Sequence, residues 1–342
     1  MSRFYEIEPS AENYWRAIIL FGRNTASYKF ALAKALYDLY HQGQTRITLD
    51  ELAIPYAKHL CEHLKTKPKQ ITREQSTFLN QLLQFNAGQI NQTQMIQETV
   101  KYGFNNVLDA FHNVHSQEVK TRFFIDERAS KNAIQLTDEF MRLGEQAQFA
   151  NLEQETEARW RLVEAAWESN VSRNLLLVDY ESKTKLLIGM NPLRRTALTS
   201  ASPALNGYQK GRCFYCYREI SIIQGHEHTA DIDHFFPHIL KQCDSDKPID
   251  GVANLVLACQ ECNRGKGGKF ERLPSVNLVD RLFTRNEYLI TSHHPLRETL
   301  MAQTGNTMNK RQGFLQDAYS CSTLFVGSSA KWEPQPQGDA VF

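Results

Sequence analysis

Cys213-Phe-Tyr-Cys216 and, further along, Asn254-Leu-Val-Leu-Ala-Cys259-Gln-Glu-Cys262-Asn263 decide how this 342-residue chain is read. Each stretch carries a C-x2-C pair. Thiolates are soft donors, and four of them close a tetrahedral structural zinc site with no open position for a substrate. Such a site contributes about 10–16 kcal/mol of apparent binding energy to folding a small module. The segment between the pairs needs that help, because it is polar and rich in histidine and would form a poor core alone. Ala230-Asp-Ile-Asp-His-Phe-Phe-Pro237 is β-prone and ends at a proline, and Asn254–Cys259 is a second β-prone run. Residues from Gln260 onward can start a helix. The reading is strand, long loop, strand, helix, with Cys213, Cys216, Cys259 and Cys262 pinning the ends around Zn2+.

Inside this frame stand Asp233-His234, Asn254 and Asn263. The order C-x2-C, D-H-x2-P, N-L-x3-C-x2-C-N-x2-K resembles the HNH endonuclease superfamily in its zinc-bound, treble-clef (ββα-metal) form. The run Asn263-Arg-Gly-Lys266 also resembles the matching stretch in the HNH domain of RNA-guided CRISPR nucleases. The likeness covers roughly Gly207 to Arg272 and implies an enzyme that cuts DNA. On that resemblance His234 is the general base that takes a proton from water, a task suited to a group titrating near neutrality. Asp233 and Asn263 are the protein ligands of one divalent cation, Mg2+ or Mn2+, through hard oxygen donors. Asn254 holds the His234 ring by a hydrogen bond. Many family members have histidine where this chain has Asn263, which bears on the choice of cation. Adjacent residues of a regular strand face opposite ways, so Asp233 and His234 serve one phosphate only where the strand is irregular.

Net charge is +1, so any attraction to a polyanion must be local. Between Glu181 and Glu219 there is no acidic residue, while Lys183, Lys185, Arg194, Arg195, Lys210, Arg212 and Arg218 fall inside. The stretch reads either as a solvated face or as a phosphate-contacting surface, and its place before the first cysteine pair favours the latter. Arg264, Lys266 and Lys269, interleaved with Gly265, Gly267 and Gly268, are expected with Lys210 and Arg212 to position a nucleic-acid strand. His226, His228 and His238 read as exposed loop residues, and His293-His294-Pro295 as a helix start. Cys61, Cys243 and Cys321 read as ordinary thiols.

The expected fold class is α+β. A mainly helical region spans residues 1–200, the HNH module with its four-cysteine zinc site 201–275, and a helical extension with a loose tail 276–342. Helices are expected after Asn24-Thr25, after capping boxes at Thr48/Glu51 and Thr72/Gln75, and over Gln94–Val114, Asn132–Leu143 and Glu155–Glu168. The second box opens a helix with Phe78, Leu79, Leu82 and Leu83 on one face, and Trp160, Val163 and Trp167 form a core stripe. Leu175–Tyr180 reads as a β-run. No apolar run approaches the ~18–20 residues that span a bilayer, and the start lacks a signal-peptide core, so a cytoplasmic protein with no membrane partner is expected. The helical region names no chemistry of its own. It is open to DNA recognition, to a regulatory protein partner or to homo-oligomer formation, and the resemblance favours a restriction or phage-defence setting. The rival reading is a non-catalytic, zinc-dependent module that binds nucleic acid or protein.

Overall fold

The structure is a computed structural model describing residues 9–22, 25–72, 76–114, 117–168, 177–191, 194–237, 249–270, 272–292, 294–326 and 331–342. The chain divides into two compact units, Met1–Asn170 and Val171–Phe342. The division lies ahead of residue 200, and strands at Val178–Glu181, Leu186–Asn191 and Arg194–Ser200 belong to the unit that holds the cysteine module.

In the first unit, helices α1 (Ala11–Arg16, running on as a wider turn to Phe21), α2 (Tyr28–Tyr40), α3 (Leu49–Thr66), α4 (Thr77–Asn86), α5 (Gln92–Glu98) and α6 (Phe149–Glu168) dominate. The capping box at Thr48/Glu51 opens α3, with Thr48 Oγ1 accepting from Glu51 N and the Glu51 carboxylate accepting from Thr48 N. Helix α4 starts instead from Ser76, whose hydroxyl accepts from Leu79 N, and Leu83 stands exposed on it. Asn24 and Gln75 lie outside the described residues. Trp160, Val163 and Trp167 are buried as the stripe on α6 required. The Trp15 ring meets Phe111, Phe123 and Phe140 at centroid distances of 5.6, 5.0 and 5.4 Å. Two expectations of helix hold only in part. Residues 133–136 are the central strand of an antiparallel sheet built from β1 (Arg46–Thr48), β2 (Phe124–Glu127) and β3 (Ala133–Leu136) in the order β1-β3-β2. Asn132, at φ 51°, ends the short helix before it, so the pattern through that residue cannot continue. The second departure lies within Gln94–Val114, where Asn113–Val114 forms a strand.

The second unit opens with an antiparallel sheet of β4 (Val178–Glu181), β5 (Leu186–Asn191) and β6 (Arg194–Ser200), in sequence order. Helix α7 (Ala201–Gln209) leads from it to the first cysteine pair. Strands β7 (Asp231–His234) and β8 (Leu255–Ala258) form an antiparallel pair in the register Asp233↔Val256 and His234↔Leu255, followed by α8 (Gln260–Arg264). β8 is buried along its whole length, which is why its apolar run carries no alternation. The Gln209 side chain completes it: Leu257 N donates to Oε1 and Nε2 donates to Leu257 O, each at 2.8 Å. Helices α9 (Val276–Thr291), α10 (Arg297–Thr304) and α11 (Met308–Val326) form the extension.

The tail is not loose. Residues 331–342 lie on the cysteine module, with Trp332 and Val341 buried. Trp332 Nε1 donates to Gly267 O at 2.8 Å, and its ring meets Tyr215 edge-on at 5.1 Å. Gln337 N donates to Cys216 O at 2.7 Å, and the Phe342 ring packs on Phe214 and Tyr217. A segment of prolines and glutamines without periodicity reads as loose only because its partners are remote in sequence. Among the described cysteines outside the two pairs, Cys61 is a buried free thiol whereas Cys321 is disulfide-bonded, which spacing could not reveal. Cys243 lies outside the described residues. Trp332→Ala should destabilise the second unit by about 3–5 kcal/mol, read as a lower urea midpoint for that unit's transition.

Candidate active site and metal centre

The Sγ atoms of Cys213, Cys216, Cys259 and Cys262 all lie within 4.8 Å of one another and are buried. Among the described residues they form the one such cluster of His, Cys, Asp and Glu side chains. Local backbone explains the convergence. Tyr217 takes a left-handed φ of 63°, which turns the chain back so that Cys213 N donates to Arg218 O. Cys259 precedes α8, so its sulfur accepts from Cys262 N at 3.4 Å, while Cys259 N donates to Cys213 Sγ at 3.3 Å. Phe214 N donates to Leu257 O, tying the first pair to β8. From behind, Arg281 on α9 donates to Phe214 O and Tyr215 O, at 2.5 and 2.9 Å, and its guanidinium lies 4.3 Å from the Tyr217 ring centre. Four sulfurs at this spacing, supported by N–H···S bonds, fit a closed tetrahedral zinc site.

Asp233 lies on β7 and is buried. Its Oδ2 accepts from the Tyr215 hydroxyl at 2.5 Å and faces Lys269 Nζ at 3.3 Å. Burial raises its pKa above the usual carboxylate range, against the opposing pull of Lys269 and Tyr215. Burial likewise pushes the Tyr215 phenol well up, and the Asp233 charge adds to that, so Tyr215 is the donor in this pair. Asp231 lies two residues earlier on β7, hence on the same face as Asp233. It accepts from Asn263 Nδ2 at 3.1 Å and pairs with Arg264 Nε at 3.0 Å. The start of α8 therefore brings Asn263 to the strand face that carries Asp233. The donor set fits a hard cation: two oxygen-bearing side chains, one of them a carboxylate whose ionised form burial penalises.

His234 takes other neighbours. Its Nε2 lies 3.3 Å from Asp250 Oδ1, and its ring centre is 6.1 Å from that of Tyr180 on β4. His234 is the last paired residue of β7 and the chain bends at once, at Phe235–Phe236, so the irregularity that a shared phosphate requires lies at the His234 end of the strand. Asn254 does not hold the imidazole. Its Oδ1 accepts from Phe236 N, and its two Nδ2 hydrogens go to Phe236 O and Ile249 O, at 2.8, 3.0 and 2.8 Å. Both of its N–H donors are thus bound to main chain, and the residue staples the loop that follows His234.

The expected cationic contacts divide. Lys266 is exposed, and Arg264 is exposed while paired with Asp231. Arg212 is half-buried against Glu219 at 3.1 Å. Lys210 and Lys269 are buried, which takes them off any phosphate surface. Lys210 Nζ donates to Val341 O in the tail. Lys269 Nζ donates to His234 O and Phe270 O, both at 3.0 Å. The glycines serve this inward turn: Gly267 has φ 97°, and a Cβ on Gly268 would come within 2.6 Å of Glu261 O. His226 and His228 are exposed; His238 and His293 lie outside the described residues, and of Arg194 and Arg195 only the backbone is described. Asp250 and Tyr180 had no signal in the sequence, since each reads as an ordinary turn or strand residue until the ring of His234 is placed between them.

Two outcomes follow. Cys259→Ser should lower zinc content below one per chain and open the second unit to protease, as measured by metal analysis and limited proteolysis. Because the folded state holds the Asp233 proton more tightly than the unfolded chain does, that stabilisation is full below the unfolded carboxylate's range and lost as pH rises through the raised folded value. Asp233→Asn should therefore raise the melting temperature at neutral pH without divalent cation, and the gain should vanish in acid.

Residues 213–271 match the family model described as HNH endonuclease. Neither the curated proteins nor the solved structures give a match. No helix among the described residues is long and apolar enough to cross a membrane. Within the second unit, residues 213–271 thus match the HNH endonuclease superfamily, a nuclease-type module with a four-cysteine cluster suited to zinc.

Proposed function

We propose that this chain is a divalent-cation-dependent endonuclease that hydrolyses DNA phosphodiester bonds, with His234 as general base. The observation that carries this reading is the placement of Asn263, bound through Nδ2 to Asp231, on the strand face of the buried carboxylate Asp233. Nδ2 is committed to Asp231, so Oδ1 is the donor atom Asn263 has to offer. Tyr215 and Lys269 hold Asp233 by Oδ2, so Oδ1 is the oxygen it has to offer. Asp233 and Asn263 would hold Mg2+ or Mn2+, which when bound supplies charge to polarise the phosphate and offset the leaving 3′ oxygen. His234 takes the proton from the attacking water, a role open to a neutral imidazole near pH 7. Its main-chain carbonyl is fixed by Lys269, so base and cation ligand share one clamp. Exposed Lys266, with Arg264, gives the nucleic-acid strand local positive charge that the whole chain lacks. A cytoplasmic restriction or phage-defence enzyme, with the first unit recognising DNA or a regulatory partner, is the setting we favour.

The test is nicking of supercoiled plasmid by the purified full chain in Mg2+ or Mn2+. His234→Ala should cut ~10²–10⁴-fold more slowly than wild type while retaining its zinc. Wild-type protein that leaves plasmid intact with both cations would make the module a binding platform instead.

A further inference from the structure

We propose that Asp250 is a positioning residue for His234, setting which imidazole nitrogen carries hydrogen and so which one receives the proton from water. The inference rests on the nuclease reading above for its consequence in catalysis, but not for its geometry. His234 closes β7, and Asp250 sits at the end of the connection that returns to β8. Asn254 fixes the separation of the two. Its single amide binds the main chain of Phe236, two residues beyond His234, and of Ile249, one residue before Asp250. The result is His234 Nε2 at 3.3 Å from Asp250 Oδ1, with both atoms closed off from solvent.

A carboxylate oxygen and an imidazole lone pair cannot face one another at that distance without water, because both are acceptors and repel. In this ion-pair contact the carboxylate therefore favours the ring form with N–H at Nε2, which leaves the proton-accepting role to Nδ1. Tyr180 bounds the ring on a further side, with its plane tilted 58°. Lys269 holds the His234 carbonyl from the cysteine side. Among the described residues, Lys269 is directed at Asp233 and at main chain, and Asp250 is the charged group whose oxygen lies against the ring. Asn254, expected to touch the imidazole, acts on it through Asp250.

The experiment compares wild type, Asp250→Ala, Asp250→Asn, His234→Ala and the His234→Ala/Asp250→Ala double variant in the plasmid assay, with zinc content and melting recorded for each. Asp250→Ala should lower kcat by ~10- to 100-fold with KM within about twofold. Asp250→Asn should recover most of that loss, since its amide oxygen accepts the same N–H. In the His234→Ala background, removing Asp250 should cost nothing more, because the group through which it acts is gone. Equal losses in both backgrounds, a change confined to KM, or an Asp250→Ala enzyme as fast as wild type would each overturn the proposal. The nitrogen resonances of the His234 ring give a readout that needs no cleavage. Wild type should show the Nε2–H tautomer and Asp250→Ala a mixture. An Nδ1–H ring in wild type refutes the assignment even if the protein cuts DNA, whereas an Nε2–H ring in a protein that cuts nothing leaves Asp250 in place and removes only the nuclease.

Discussion

Four cysteine sulfurs within 4.8 Å of one another join two pieces of chain that are remote in sequence. The first pair sits in a tight turn, the second at the start of a five-residue helix, and neither could persist in isolation. Closing the cluster brings Tyr215, which lies between Cys213 and Cys216, against the carboxylate of Asp233. It also sets α8 so that Asn263 and Arg264 reach Asp231. The cysteine cluster is thus the frame on which the candidate catalytic groups are mounted, although four thiolates around one ion would leave no open position for substrate.

Around that frame main-chain staples supplement the apolar core. Asn254 binds backbone on both sides of the loop beyond His234, Gln209 mimics a neighbouring strand for β8, and Lys269 clamps the carbonyl of His234. Buried amide and ammonium groups of this kind are costly unless fully bonded, and once bonded they define one arrangement. The C-terminal segment adds a cover through Trp332, Gln337 and Phe342. The price of the site is concentrated at Asp233, a carboxylate withdrawn from water and held there by a tyrosine and a lysine. On the proposed function, stability is given up there for a cation ligand.

The four-cysteine cluster and the β7–β8–α8 order were legible in the residues, since thiol pairs and β-prone runs declare themselves locally. So were the capping box of α3 and the core stripe of α6. What failed were judgements that depend on distant partners. Lys269 and Lys210 look like phosphate contacts from composition, but a left-handed glycine and the returning tail turn them inward. Residues 133–136 carry a helix-compatible pattern, yet two other strands compete for their backbone hydrogen bonds and win.

By itself, then, the sequence determined the chemistry available: four soft donors, an imidazole, a carboxylate and amides, at spacings that a short strand pair and helix can gather. Only the tertiary structure decided the orientation of each group. It gave the His234 ring to Asp250 and Tyr180, gave the Asn254 amide to the main chain, and folded an aperiodic tail onto the cysteine turn. The physical reason is that ligand type follows from residue identity, whereas a hydrogen-bond partner is settled by which buried polar atoms must satisfy one another once water has been excluded.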